Sequence, residues 1–201
     1  MARAPESERV PDFLVLGLGN PGERYRDTRH NLGFFVVDAL VRSAGATLRD
    51  GPGPSSICPF TVGPVRGILS RPMTWMNRSG VAAKALRERF DGPPLSRVLV
   101  VTDDLDLPLG RVRFRRGGSP GGHNGLRSLT EELGSRDFPR LRIGIGRPDG
   151  DGREDIVGWV LEPFGQEEWP VVEEAVKLAV EGVHTFLENG IEAAMNRFNA
   201  G

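Results

Sequence analysis

Apolar and polar positions follow each other along this chain with periods that change from segment to segment, and the periods predict its elements. Phe13-Leu14-Val15-Leu16 is an unbroken apolar run ending at Gly17, so residues 12–18 predict a buried strand that feeds a glycine loop. After a charged, aperiodic stretch, Leu32, Phe35, Val36, Ala39 and Leu40 recur at helical spacing, with Gly45 as the stop. Residues 45–56, rich in Gly, Pro and Ser, predict a loop. Two strand-like segments, 58–62 and 65–70, flank Gly63-Pro64. A helix beginning near Ser79 turns Val81, Ala82, Ala85 and Leu86 inward, and the next apolar run, from Val98, predicts a strand that ends in a carboxylate-rich loop. Residues 111–115 alternate strictly, which puts Val112 and Phe114 on one side and three arginines on the other. A second glycine loop precedes a helix over 125–133, and 140–146 predicts another strand. Residues 147–154 read as a flexible connector, followed by a long amphipathic helix over 166–188 and a short terminal one.

Strands alternate with helices, but the 58–70 pair and the 111–115 and 140–146 segments point to antiparallel neighbours. The expected fold is α/β: a single domain over 12–201, with a mixed, partly parallel twisted sheet flanked by helices, after a poorly ordered tail at 1–11.

Composition narrows this picture. The length, 201 residues, suffices for one domain with a substantial core. The 27 glycines and 16 prolines lie at punctuation points between apolar segments, so they mark loops and not disorder. A lone cysteine, Cys58, excludes an internal disulfide and fits a reducing compartment. No stretch approaches the ~20 apolar residues needed to cross a bilayer, and the polar N-terminus lacks the apolar centre of a signal peptide. The expected location is the cytoplasm. A net charge of -1 conceals clustered arginines, whose planar fork suits bidentate contact with phosphate.

Two motifs invite readings that their chemistry rejects. Gly17-x-Gly19-x-x-Gly22 after a strand matches a dinucleotide-binding loop, which requires a helix opening at the third glycine. Here charged, aperiodic residues follow, and Asp38 falls inside the later helix. Gly117-Gly118-Ser119-Pro120-Gly121 matches the elbow of serine hydrolases, where the residue after the nucleophile donates a backbone N–H to the oxyanion. That residue is Pro120, which has none.

What remains is a set of polar residues at the ends of apolar segments: Asn20, His30, Asn77, Asp103 and Asn124. Three carboxamides, one imidazole and one carboxylate, without an evident nucleophile, suggest water attack assisted by a general base. An imidazole titrates near neutrality, at about pH 6.5 in the unperturbed side chain, and suits that task. Other readings stay open on the residues alone. Asn20 and Asn124 lie beside glycines and also read as turn residues. Asp103, Asp104 and Asp106 also read as a solvated loop, and His30 as a structural histidine. No recognisable metal-ligand spacing is present, so no metal is expected.

In order along the chain, these segments resemble the bacterial-type peptidyl-tRNA hydrolases. That family shares a "GLGNPG…Y…TRHN.GF" opening, a "P.T.MN.SG" segment, a "D.LDLP.G" loop and a "GG..GHNGLRS" loop. This sequence carries them as 17–34, 72–80, 103–110 and 117–128, and "RLRIGIGRP" at 140–148 continues the match. The resemblance covers nearly the whole chain from Phe13. It implies hydrolysis of the ester of peptidyl-tRNA, without a cofactor. It also implies that His30 is the general base and that Asp103 holds its basic form. Asn77 and Asn124 would grip the peptide and the water or oxyanion, Tyr25 and Trp75 would line the path of the tRNA 3′ end, and Asn20 would sense whether the substrate's amino group is blocked. Trp75 stands where the family usually has Phe, Asp104 where Glu is common, and Pro120 stiffens the second loop; none of these touches the proposed base. The expected partner is tRNA carrying a peptide, met by a monomer with no membrane association. A relative that binds RNA without hydrolysing it is the alternative. RNA contact is expected from Arg111, Arg113 and Arg115, helped by Arg116, Arg127, Arg140 and Arg142, because alternate strand residues repeat about every 6.5–7 Å, near phosphate spacing.

Overall fold

A computed structural model describes residues 11–149 and 152–200. The expected N-terminal tail lies outside the described residues except for Pro11, which is buried. The strands are β1 (Phe13–Gly17), β2 (Arg49–Asp50), β3 (Ser55–Val62), β4 (Val65–Pro72), β5 (Val98–Asp104), β6 (Val112–Arg115) and β7 (Arg140–Gly144). They form one sheet in the order β2-β3-β4-β1-β5-β7-β6. Its centre is parallel, through β4–β1, β1–β5 and β5–β7. Both margins are antiparallel, through β2–β3 and β3–β4 on one side and β6–β7 on the other. This is the mixed sheet that the sequence predicts.

The helices are α1 (Leu32–Ser43), α2 (Ser79–Arg89), α3 (Asn124–Leu133), α4 (Arg153–Leu161) and α5 (Trp169–Phe198). Val15, Leu99 and Val101 pack in a core with residues of α1 and α5. Leu14, Leu16, Val98 and Val100 pack in a second core with residues of α2 and α3. Successive strand residues point to opposite faces, so a strand covered on both faces must be apolar at every position. That explains the unbroken runs in β1 and β5.

From β1 the chain moves to β4 on one side, then returns through α2 to β5 on the other. The strand order therefore reverses between β1 and β5, and the carboxyl ends of strands at such a point open a crevice. The loop after β1 and the end of β5 meet there.

The first glycine motif serves packing and not pyrophosphate. A Cβ on Gly17 would lie 2.1 Å from the carbonyl oxygen of Gly33, and one on Gly33 would lie 2.3 Å from the backbone nitrogen of Leu18. These glycines let α1 rest directly on β1. Gly22 opens only a 3-10 turn, Glu23–Tyr25, with a second turn, Arg29–Asn31, in front of α1.

Some segments differ from the expectation. The predicted loop at 45–56 supplies β2 and the start of β3, closed by Gly51 N donating to the Ser55 carbonyl at 2.9 Å. Part of the predicted connector, together with the residues after it, is α4. It is only nine residues long, too short for the spacing of its apolar residues Ile156, Val157, Trp159 and Val160 to set it apart from a connector. The terminal helices form α5, broken at Gly190 (φ 81°, ψ −179°), which starts at Trp169 and not at 166.

Candidate active site

His30 lies in the turn Arg29–Asn31, between β1 and α1, and Asp103 is near the end of β5. Both are buried, at 7% and 3% exposure. Nδ1 of His30 is 2.9 Å from Asp103 Oδ1 and 3.0 Å from Oδ2. An ionised carboxylate only accepts, so Nδ1–H donates to it and Nε2 is left with the ring's lone pair. His30 lines a cavity of about 610 Å³ that Asp103, Asn124 and Arg115 also line. The expected base, its carboxylate and one expected carboxamide thus share one cavity.

A residue to which sequence reasoning gave no role completes the group. His123 precedes α3, where Gly125 N and Leu126 N donate to its Nδ1 at 3.1 and 3.3 Å. With Nδ1 accepting, the ring proton sits on Nε2. That nitrogen is 3.1 Å from Asp103 Oδ1 and 2.7 Å from Thr102 Oγ1. His123 is therefore a donor to the carboxylate, fixed in one tautomer by the helix end. The available signal was a histidine in a glycine loop at a helix start, but spacing along the chain does not show that its ring turns back to β5.

Burial alone would raise the Asp103 carboxyl. The charges of His30 and His123 and their hydrogen bonds override it and hold the group well below the usual carboxylate range. Asp103 thus stays ionised at neutral pH, as an orienting group must. The ligand atoms of His30, Asp103 and His123 lie within 4.8 Å of one another, a spacing a metal ion could also use. Hydrogen bonds of 2.9–3.1 Å already close that triangle, and two N–H groups point into it.

Asn20 is buried, and its side chain is engaged in holding the loop. Its Oδ1 accepts from Met76 N at 2.8 Å. Its own N–H donates to Asn31 Oδ1 at 2.7 Å, while Asn31 Nδ2 donates to the Asn20 carbonyl at 3.0 Å. Asn31, next to His30, thereby ties Asn20 to the base. Asn20 also lines a groove of about 910 Å³ beside α1 and α5. Asn77 is exposed in the turn Met76–Arg78, and Asn124 is exposed at the start of α3, accepting from Arg127. Tyr25 and Trp75 meet edge to face, with ring centroids 5.7 Å apart and Trp75 half exposed.

The arginines divide. Arg113 and Arg115 are exposed on β6, cross-strand from Arg142 and Arg140 respectively. Arg140, expected to help bind RNA, is instead 2% exposed and donates to the carbonyls of Gly118, Ser119 and Arg136. It clamps the second glycine loop. Burial, followed by the charges of Arg115 and Arg142, lowers its pKa to about 10. Arg142 is largely buried and held by Asp104 at 2.5 Å, and Arg116 pairs with Glu192. The accessible part of the stripe is therefore narrower than alternation suggests.

Residues 14–201 match the family described as Peptidyl-tRNA hydrolase. A peptidyl-tRNA hydrolase of Synechococcus sp. (strain JA-3-3Ab) is 47% identical over 200 residues, which span 96% of this chain and 84% of the relative. One from Aquifex aeolicus (strain VF5) is 45% identical, across 92% of this chain and 95% of its own. The crystal structure of peptidyl-tRNA hydrolase from Acinetobacter baumannii matches with a TM-score of 0.87 at 34% identity, covering 96% of this chain and 97% of that one.

Proposed function

This chain belongs to the peptidyl-tRNA hydrolase family, and from that membership we propose that it hydrolyses the ester joining a peptide to the terminal ribose of tRNA, with His30 as general base. The observation that carries the assignment of the base is the His30–Asp103 pair, which leaves Nε2 to take a proton from water. Water adds to the ester carbonyl as Nε2 takes its proton. The tetrahedral intermediate then collapses, the C–O bond to the ribose breaks, and the imidazolium returns the proton to the departing ribose oxygen. Asp103 steadies the imidazolium between these events. Carboxamide donors on Asn124 or Asn77 stabilise the oxyanion. The balance needs only water. A protein that merely bound RNA would have no use for a buried, oriented imidazole, so release of peptide from peptidyl-tRNA is the deciding assay. In this reading the enzyme recycles tRNA from aborted translation in the cytoplasm. In this reading it also works as a monomer.

Tyr25 and Trp75 offer aromatic surface for the unpaired 3′ end, and Arg113 and Arg115 contact phosphates. The crowding of positive charge around Arg140 supports the latter, since a polyanion relieves it. Replacing Arg113 and Arg115 together by alanine should raise KM for full-length peptidyl-tRNA and flatten its salt dependence by roughly one phosphate contact per arginine. Turnover of a peptide esterified to a single nucleoside should hardly change. Equal losses on both substrates would mean that the stripe serves the fold or the chemistry.

Asn20 is proposed to separate peptidyl-tRNA from aminoacyl-tRNA, which carries the same ester but a free ammonium. Its Oδ1 is committed to Met76 N, so Nδ2 is the atom left to read the substrate's amide. A carboxylate at this position keeps an oxygen for Met76 N and puts a negative charge where Nδ2 was. Asn20→Asp should therefore raise kcat/KM for aminoacyl-tRNA relative to its N-acetylated form. An unchanged ratio, with both rates falling together, would move the selectivity to Asn77 or Asn124.

A further inference from the structure

The residue before the base is an arginine that the mechanism does not use. Arg29 is 5% exposed, and its contacts reach α4 itself and the segment between α4 and α5. Its Nη1 donates to the Pro163 carbonyl at 2.8 Å and its Nη2 to Glu168 Oε2 at 2.8 Å. The guanidinium lies over the ring of Trp159, with Cζ 3.7 Å from the centroid. The backbone repeats the connection: Arg29 N donates to the Glu162 carbonyl, and Phe164 N to the Asp27 carbonyl.

These contacts matter because of what α4 does elsewhere. Ile156, Val157 and Val160 of α4 line the cavity of His30. The helix packs mainly against the turn that carries His30, and Trp159 also packs against the main core and donates from Nε1 to the Gly146 carbonyl at 3.1 Å. Trp159 is thus held between Arg29 and the chain beyond β7, while the adjacent α4 residues face the substrate side.

We infer that Arg29 is a positioning residue: by stacking on Trp159 it sets the distance between the apolar wall of α4 and the imidazole of His30. The inference rests on the proposed hydrolysis of peptidyl-tRNA. Neither group touches the reacting atoms, so the effect is on geometry and not on the proton. A displacement of ~1 Å away from the chemistry can cost about a hundredfold in rate. Lysine at position 29 keeps the charge for Glu168 but loses the planar stack.

Arg29→Lys and Trp159→Ala should each lower kcat on peptidyl-tRNA by about tenfold to a hundredfold. KM should stay within about twofold and the pH profile should keep its shape, because the His30–Asp103 pair is untouched. Trp159→Phe, which retains a ring under the guanidinium, should keep most of the turnover. The double variant Arg29→Lys/Trp159→Ala should be no slower than the slower single one, since both break one contact. Trp159 is only half-buried, so its truncation keeps the test open should Arg29 variants fail to fold. A Trp159→Ala enzyme with wild-type kcat, or singles whose losses multiply in the double variant, would overturn the inference. A wild-type protein that releases no peptide would instead overturn the function it rests on.

Discussion

His30→Ala should lower peptide release by about 10²–10⁴-fold, the range typical of a lost general base, while leaving tRNA binding in place. The structure makes this substitution a clean one. Asp103 loses one donor but keeps the His123 Nε2 hydrogen bond at 3.1 Å, so its charge is not left alone in the interior. His123 cannot take over as base, because its Nδ1 is occupied by the first N–H groups of α3 and its Nε2 carries the proton. Single-turnover release of a labelled peptide, with tRNA binding measured beside it, checks the expectation. More than a tenth of wild-type turnover in His30→Ala would remove His30 from its proposed role.

Asp103→Asn should cost less, about 10²–10³-fold in kcat, for a different reason. An amide can donate to His30 Nδ1 where the carboxylate only accepts. That would place the ring proton on Nε2, the nitrogen required to receive one from water. The charge that steadies the imidazolium is lost as well. A second consequence concerns stability. The folded-state pKa of Asp103 is depressed below the unfolded value of about 3.9. Its ionised form therefore stabilises the fold above about pH 4, and that contribution fades as pH falls from there toward the folded value. Asp103→Asn lacks this component, so its melting temperature should decline less steeply than the wild type's between pH 5 and pH 3 (about the range in which an unperturbed carboxylate titrates). Parallel declines would show that Asp103 is not held ionised by its two histidines.

The sequence by itself determined the elements and most of the expected site. Strands covered on both faces leave continuous apolar runs, as in β1 and β5, and α1 leaves its helical period; these are local signals. The positions of Asn20 and Asp103 were legible for a related reason, since a polar residue at the end of an apolar run falls at the carboxyl end of a strand, while His30 stands just ahead of the helical period of α1. Tertiary structure decided the rest. Helix α4 owes its place to the turn that carries His30 and to Arg29. His123 entered the site because the end of α3 takes one ring nitrogen and Asp103 faces the other, two partners far from each other in sequence. Arg140 and Arg113 look alike to any local rule, both lying on strands that alternate. Arg140 is buried because the carbonyls of the second glycine loop close over it, whereas Arg113 remains exposed on β6. Alternation specifies which residues of a strand share a face; what covers that face is set by segments elsewhere in the chain.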